Sequence, residues 1–94
     1  MRKLLWGKTF VRAVKLIDRR YPNLLEILQP TLQLLVDDPF APKLETHKLK
    51  GKLSGSWACK AGYDLRIIFD FIKNPDSEKD SILLLEIGSH EEVY

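Results

Sequence analysis

Two histidines and a run of cations are the residues of this sequence best suited to chemistry. His47 opens the stretch His47-Lys48-Leu49-Lys50-Gly51-Lys52, which holds one imidazole and three ammonium groups in six residues. His90 lies near the C-terminal end in Gly88-Ser89-His90-Glu91-Glu92-Val93-Tyr94. An imidazole with an unperturbed pKa of about 6.5 takes or gives a proton near neutrality. Lys48, Lys50, Lys52, Lys60 and Arg66 are cations able to hold phosphates. Together these groups match the needs of RNA cleavage without a metal. A base takes the proton of a ribose 2′-hydroxyl, cations hold the phosphate as charge builds, and an acid protonates the leaving 5′-oxygen. Tyr94 and Trp57 are aromatic surfaces on which an unpaired base could stack.

Other chemistries lack their marks. There is no Walker loop, dinucleotide fingerprint, nucleophile elbow or metal-spaced His/Cys cluster. The two histidines stand 43 positions apart, so a metal site would have to be assembled by the fold. Taken singly, each candidate also has an ordinary structural explanation. A lone His in a small domain is more often a satisfied polar residue than a catalyst. Asp64 sits beside a turn, which Asp tolerates well. Trp57 suits the core or its rim, and Cys59 reads as a small buried hydrophobe.

The elements that must position these groups follow from pattern. Arg2 to Trp6 reads as a short strand. Thr9 is the expected cap of a helix whose apolar stripe is Phe10, Val14, Ile17 and Tyr21, ended by Pro22. Asn23, with Glu26 as its capping partner, opens a second helix to Asp37 with the stripe Leu24, Leu28, Leu32 and Leu35. Pro30 predicts a kink or break near Gln29. A link of about two residues makes the two helices an antiparallel hairpin. Pro39 to Thr46 is an irregular crossing, and His47 to Ser54 is loop or fraying strand. Trp57 to Lys60 pairs with Leu65 to Phe71 across the Gly62 turn. Ser81 to Ile87, nearly continuously apolar, is a central strand that Gly88 breaks, and Ser89 is expected to cap a final turn through Tyr94. The order is β-αα-βββ, an α+β class, in one domain spanning 1–94.

Composition sets the boundaries. At 45% hydrophobic and 30% charged, the chain has the balance of a folded soluble domain. One cysteine makes no internal disulfide and fits a reducing cytoplasm. No apolar run reaches the length of a membrane span or a signal peptide, so no membrane is expected. The net charge of +2 is unevenly placed: +6 over residues 1–20, −3 over 21–46, +4 over 47–66 and −5 over 67–94. The two basic blocks can merge into a face that attracts polyanions, or pair with the acidic ones.

Three runs resemble one family in order and spacing: His47-Lys-Leu-Lys-Gly-Lys-Leu, Gly62-Tyr-Asp-Leu-Arg-Ile-Ile-Phe69 and Gly88-Ser-His-Glu-Glu-Val-Tyr94. They look like the toxins of bacterial type II toxin–antitoxin systems, the RelE/ParE superfamily, and are most similar to its YafQ (RelE/StbE-like) branch. The RelE-like fold has the β-αα-βββ order: an N-terminal strand, an antiparallel helical hairpin and a three-stranded antiparallel continuation of the sheet. The resemblance therefore covers essentially the whole chain.

The resemblance implies a ribosome-dependent mRNA endonuclease, or mRNA interferase, that cuts in the ribosomal A site by 2′-hydroxyl attack and inhibits translation. It needs no cofactor and no metal. By position it implies catalytic roles for His47, Asp64, His90 and Tyr94, with His90 as acid and His47 or Asp64 as base. Lys50, Lys52 and Arg66 would hold phosphate. Its partners would be the ribosome, mRNA and an acidic, partly disordered antitoxin segment that wraps the toxin. In one place this chain departs from the pattern: the His found four residues before the hairpin Asp is Lys60 here. Lysine, with an unperturbed pKa of about 10.4, holds phosphate but shuttles protons poorly at neutral pH. The same superfamily also implies two alternatives, a ParE-like inhibitor of DNA gyrase with no nuclease chemistry and an inactive antitoxin-binding homologue.

Overall fold

The computed structural model describes residues 2–89, apart from the Lys52 side chain. His90 and Tyr94 therefore lie outside the described residues, as does the final turn expected through Tyr94. The elements in chain order are β1 (Leu4–Trp6), α1 (Lys8–Ile17), α2 (Leu24–Asp37), β2 (His47–Lys48), β3 (Trp57–Lys60), β4 (Leu65–Ile72) and β5 (Ser81–Ser89). Short 3-10 turns at Pro42–Leu44 and Gly51–Leu53 flank β2. Both helices cover one face of a single sheet, in the α+β arrangement expected.

Helical periodicity decides what the helices bury. Phe10, Val14 and Ile17 lie one above another on α1 and are buried, as are Leu24, Leu28, Leu32 and Leu35 on α2. They meet Cys59, Leu65, Ile67, Phe69, Ile82, Leu84 and Ile87 from the sheet in one core. Tyr21 packs against that core from outside α1, which ends at Ile17 rather than at Pro22. The link between the helices is accordingly residues 18–23, longer than the two residues expected.

The helix ends differ from expectation for local reasons. Gly7, not Thr9, occupies the N-cap position of α1 and makes no side-chain cap. Its N–H donates to the Leu84 carbonyl at 3.0 Å, which extends the β1–β5 pairing and fixes where the helix starts. Asn23 adopts the left-handed conformation (φ 61°) and caps nothing with its side chain, so the expected pairing with Glu26 does not supply the N-cap. Asn tolerates this conformation, and here it turns the chain between the helices. Helix α2 runs through Pro30 without a break. The carbonyl that Pro30 leaves without a donor belongs to Glu26, on an exposed turn where water can serve it.

The strand order is β1-β5-β4-β3-β2. β1 is an edge strand, parallel to β5, and the remaining pairs are antiparallel. The basic segment contributes a fifth strand, β2, two residues long, where a loop or frayed strand was expected. The Trp57–Lys60 and Leu65–Ile72 strands form the expected hairpin. β5 is interior, as its apolar run implies. Its register explains that run: Ile68 pairs with Glu86 and Phe69 with Leu84, so Leu85 is a bulge residue and the buried face shifts parity. Gly88 does not end the strand. It lies opposite Arg66, and the ladder continues to Ser89 opposite Leu65. Among the described residues no helix is long and apolar enough to cross a membrane.

Candidate active site

Residues directly opposed across a ladder point to the same face, and alternate residues of one strand do likewise. On β3 and β4 the residues Cys59, Leu65, Ile67 and Phe69 face the helices. Their neighbours face away. Lys60, Arg66 and Gly88 therefore form one row on the face of the sheet away from the helices, here called the open face, and His47, Ala58, Ile68 and Glu86 form the next, in which Ala58 and Ile68 are buried. Asp70, two residues beyond Ile68 and opposite Leu83, belongs to the same face.

The first row is electrostatically unusual. Lys60 and Arg66 are directly opposed, and like charges in that position repel. Glu45 relieves part of this, with Oε2 at 3.3 Å from the Lys60 ammonium. The Arg66 Nη1 donates to the Leu65 carbonyl at 3.1 Å. That bond uses one of five guanidinium donors. An anion placed over this pair would relieve the remaining repulsion.

His47 is exposed, and its Nδ1 lies 3.0 Å from the Glu45 carbonyl oxygen. A carbonyl only accepts, so Nδ1 carries the hydrogen and the neutral ring holds its lone pair on Nε2. That tautomer can act as a base through Nε2. From strand spacing, the His47 and Arg66 α-carbons are about 12 Å apart, within reach of two long side chains gripping one phosphodiester.

Asp64 lies elsewhere, at the hairpin tip. It is exposed and accepts a hydrogen bond from the Tyr21 hydroxyl at 3.5 Å. Next to it Tyr63 takes a left-handed conformation (φ 59°), and its hydroxyl approaches the Pro22 carbonyl at 3.4 Å. The Tyr21 and Tyr63 rings pack at 4.9 Å. The tip is thus tied to the α1–α2 link. By strand spacing Asp64 is about 16 Å from His47, so the two residues named as alternative bases occupy different corners of the face. Ser89, opposite Leu65, brings β5 alongside the Asp64 end.

The other sequence candidates divide. Lys50 is exposed beside the Gly51–Leu53 turn. Lys48 opposes Trp57 and so points to the face opposite His47, with its ammonium 5.9 Å from the Trp57 ring. Trp57 is half-buried and packs edge-on against Phe40 and Phe71, which makes it part of the core rim. Cys59 is fully buried, and that burial pushes its thiol up to about 12, with Arg66 pulling the other way. Among the described residues no group of three His, Cys, Asp or Glu side chains could hold a metal ion.

Sequence reasoning passed over Glu45, Tyr21 and Asp70. Glu45 serves both Lys60 and His47 only because a left-handed residue (φ 49°) turns the chain into β2. The alternation Arg66, Ile68, Asp70 along β4 is the signal that marks Asp70 as a third residue of the open face.

Several solved structures of this fold are bacterial toxins. The family model described as "bacterial toxin of type II toxin–antitoxin system, YafQ" matches residues 2–94. The structure of YafQ from E. coli strain BL21(DE3) superimposes with a TM-score of 0.76 at 18% identity, covering 100% of this chain and 99% of that one. A metal-bound toxin from Helicobacter pylori superimposes at 0.73 with 26% identity, covering 100% of both chains. The E. coli DinJ–YafQ toxin–antitoxin complex matches at 0.74 with 18% identity, over 99% of this chain and 97% of that one. Among curated proteins no sequence matches.

Proposed function

The chain belongs to the YafQ family of type II toxin–antitoxin toxins, and on that premise we propose that it is a ribosome-dependent endoribonuclease that cuts mRNA in the A site and so stops translation. The observation that carries this reading is the row of Lys60 and Arg66 flanked by His47. β3 and β4, which carry the two cations, lie between β2, which carries His47, and β5, which ends at Ser89. His90 follows Ser89 in the sequence.

In-line attack at phosphorus needs the proton acceptor and the proton donor on opposite sides of the phosphate. A phosphate over Lys60 and Arg66 would have His47 on one side and the end of β5 on the other. His47 Nε2 takes the 2′-hydroxyl proton, and the 2′-oxygen attacks phosphorus. The bond from phosphorus to the 5′-oxygen breaks, and that oxygen takes a proton from His90. The products are a 2′,3′-cyclic phosphate and a 5′-hydroxyl. Arg66, Lys60, Lys50 and Lys52 hold the negative charge as it builds. Asp64 is better suited to orient and stabilise the His90 imidazolium than to compete with His47 for the 2′-proton. Tyr94 is the fourth catalytic residue of this scheme.

No metal or cofactor enters this scheme, and the site of action is the cytoplasm. A cognate antitoxin restrains the activity, as the DinJ–YafQ pairing suggests by likeness. Its acidic segment would cover the same cations that hold RNA. A gyrase inhibitor of this fold would have no use for a histidine set as a base tautomer beside opposed cations. The test is translation in a purified system, mapping mRNA 5′ ends with and without ribosomes beside a His90→Ala control. Cuts that require ribosomes and vanish in the variant are expected. Intact mRNA from folded protein would overturn the nuclease reading and make DNA supercoiling the next assay.

A further inference from the structure

Asp70 is the one acidic residue of β4, and by strand alternation it stands on the same face as Lys60 and Arg66. Its Oδ1 is buried and has no hydrogen-bond partner among the described residues, although the residue as a whole remains partly exposed. A buried acceptor without a donor is costly. The residue opposite on β5 is Leu83, which offers no side-chain donor. Arg66, four residues away along the strand and so at about 13 Å, stands at the other end of the face. The fold therefore keeps an unpaired carboxylate oxygen at a half-open position. The two oxygens of the carboxylate exchange only by a half-turn about its terminal torsion, so one stays hidden and the other is the one a ligand can meet.

A carboxylate repels the phosphates of RNA, so it is not there to hold the backbone. What it attracts is the N–H edge of a base. Cytosine offers its N4 amine, adenine its N6 amine, and guanine N1–H with its N2 amine. Uracil presents a single N–H between two carbonyl oxygens, and those oxygens would face the carboxylate. The Watson–Crick edges of single-stranded RNA are open to such contacts. Asp70 lies about 12 Å from His47 between α-carbons, which suits a base neighbouring the scissile phosphate.

We infer that Asp70 reads the amino group of a base next to the cut and disfavours uracil there. The inference rests on the nuclease reading above and gives that site its base preference. Asp70 acts here on specificity. It touches neither the phosphate nor the 2′-hydroxyl.

The experiment maps cut frequencies on mRNAs with a randomised A-site codon, for the parent, Asp70→Asn and Asp70→Ala. In the parent, one codon position is expected to cut about ten-fold less with uracil than with cytosine, the discrimination that one good base contact supplies. In both variants that ratio falls to within about two-fold, because an amide or a methyl no longer opposes uracil. Melting temperatures no lower than the parent's establish that the variants fold. An unchanged uracil ratio in folded Asp70→Asn overturns the inference. A parent that cuts nothing would overturn the nuclease reading, and the base preference is then read from binding of labelled single-stranded RNA heptamers differing by one cytosine-to-uracil change. Discrimination present in the parent and lost in Asp70→Asn upholds it there, whereas no discrimination, or no binding, overturns it.

Discussion

Tyr21 and Asp64 are 43 positions apart, and the Tyr21 hydroxyl donates to Asp64 Oδ1 at 3.5 Å. This contact joins the chain just past the first helix to the tip of the hairpin. Both groups reach water, so the bond is weak and its loss should cost less than about 1 kcal/mol. Its value is in direction: it fixes which way the carboxylate faces. Tyr21→Phe keeps the ring against Tyr63 and removes only the donor. We expect a melting temperature close to the parent's and a cleavage rate lower by about 3- to 10-fold, read in single-turnover assays. A stability loss with an unchanged rate would make Tyr21 purely structural.

The hairpin tip has a second tie to the helices. A Cβ on Gly62 would collide with the Ile27 Cγ2 on α2. Gly62→Ala should therefore lower stability by about 1–3 kcal/mol, as overpacking does. Ile27→Ala would open the space, so the double variant should recover part of that loss. Urea denaturation of the four proteins of the cycle measures the coupling, expected above about 0.5 kcal/mol. Strict additivity would mean that the tip simply shifts away from α2.

The parts of this structure set by periodicity were legible in the sequence. The stripes of α1 and α2 came directly from spacing, as did the Gly62 hairpin, because one buried face leaves little choice of register. What could not be read were features that depend on a partner distant in the chain. Gly88 looks like a strand breaker until Arg66 is seen opposite it. The Leu85 bulge hides inside a uniformly apolar run. His47 and Lys48 are adjacent in sequence and similar in promise, yet pairing with Ala58 and Trp57 sends them to opposite faces. Residue types alone gave His47 a proton-transfer role and Lys48 a phosphate, at one site. Strand alternation would have divided them, had two residues of a basic segment been recognisable as a strand.

Cys59 supplies a pH test of the core. Burial raises its thiol from 9.0 to about 12. The unfolded chain loses that proton near pH 9, while the folded chain keeps it. The folded state thus gains its full advantage from this group below pH 9 and loses it as pH rises toward 12. The difference is on the order of 4 kcal/mol over that window. Denaturation from pH 8 to 11 should show stability falling more steeply in the parent than in Cys59→Ala, which lacks the ionising group. The same burial predicts that the native thiol ignores Ellman's reagent at pH 8 and reacts only on unfolding. Rapid reaction in the native state would contradict a buried Cys59.

The two faces of the sheet make opposite predictions for two cations close in the fold. Arg66 lies in the row with Lys60, whereas Lys48 lies over Trp57 on the other side. Each phosphate neutralised on single-stranded RNA contributes about 0.7 to the slope of log affinity against log salt. Arg66→Ala should weaken binding of a short RNA and flatten that slope by about 0.7. Lys48→Ala should leave the slope as it was, since its ammonium lies by the Trp57 ring on the face opposite Arg66. Fluorescence anisotropy between 50 and about 200 mM salt covers the range over which such slopes are measured. A Lys48→Ala slope flattened as much as that of Arg66→Ala would mean that the RNA wraps around the β2 edge and touches both faces. In that case the phosphate path would follow the basic segment itself rather than the open face beside His47.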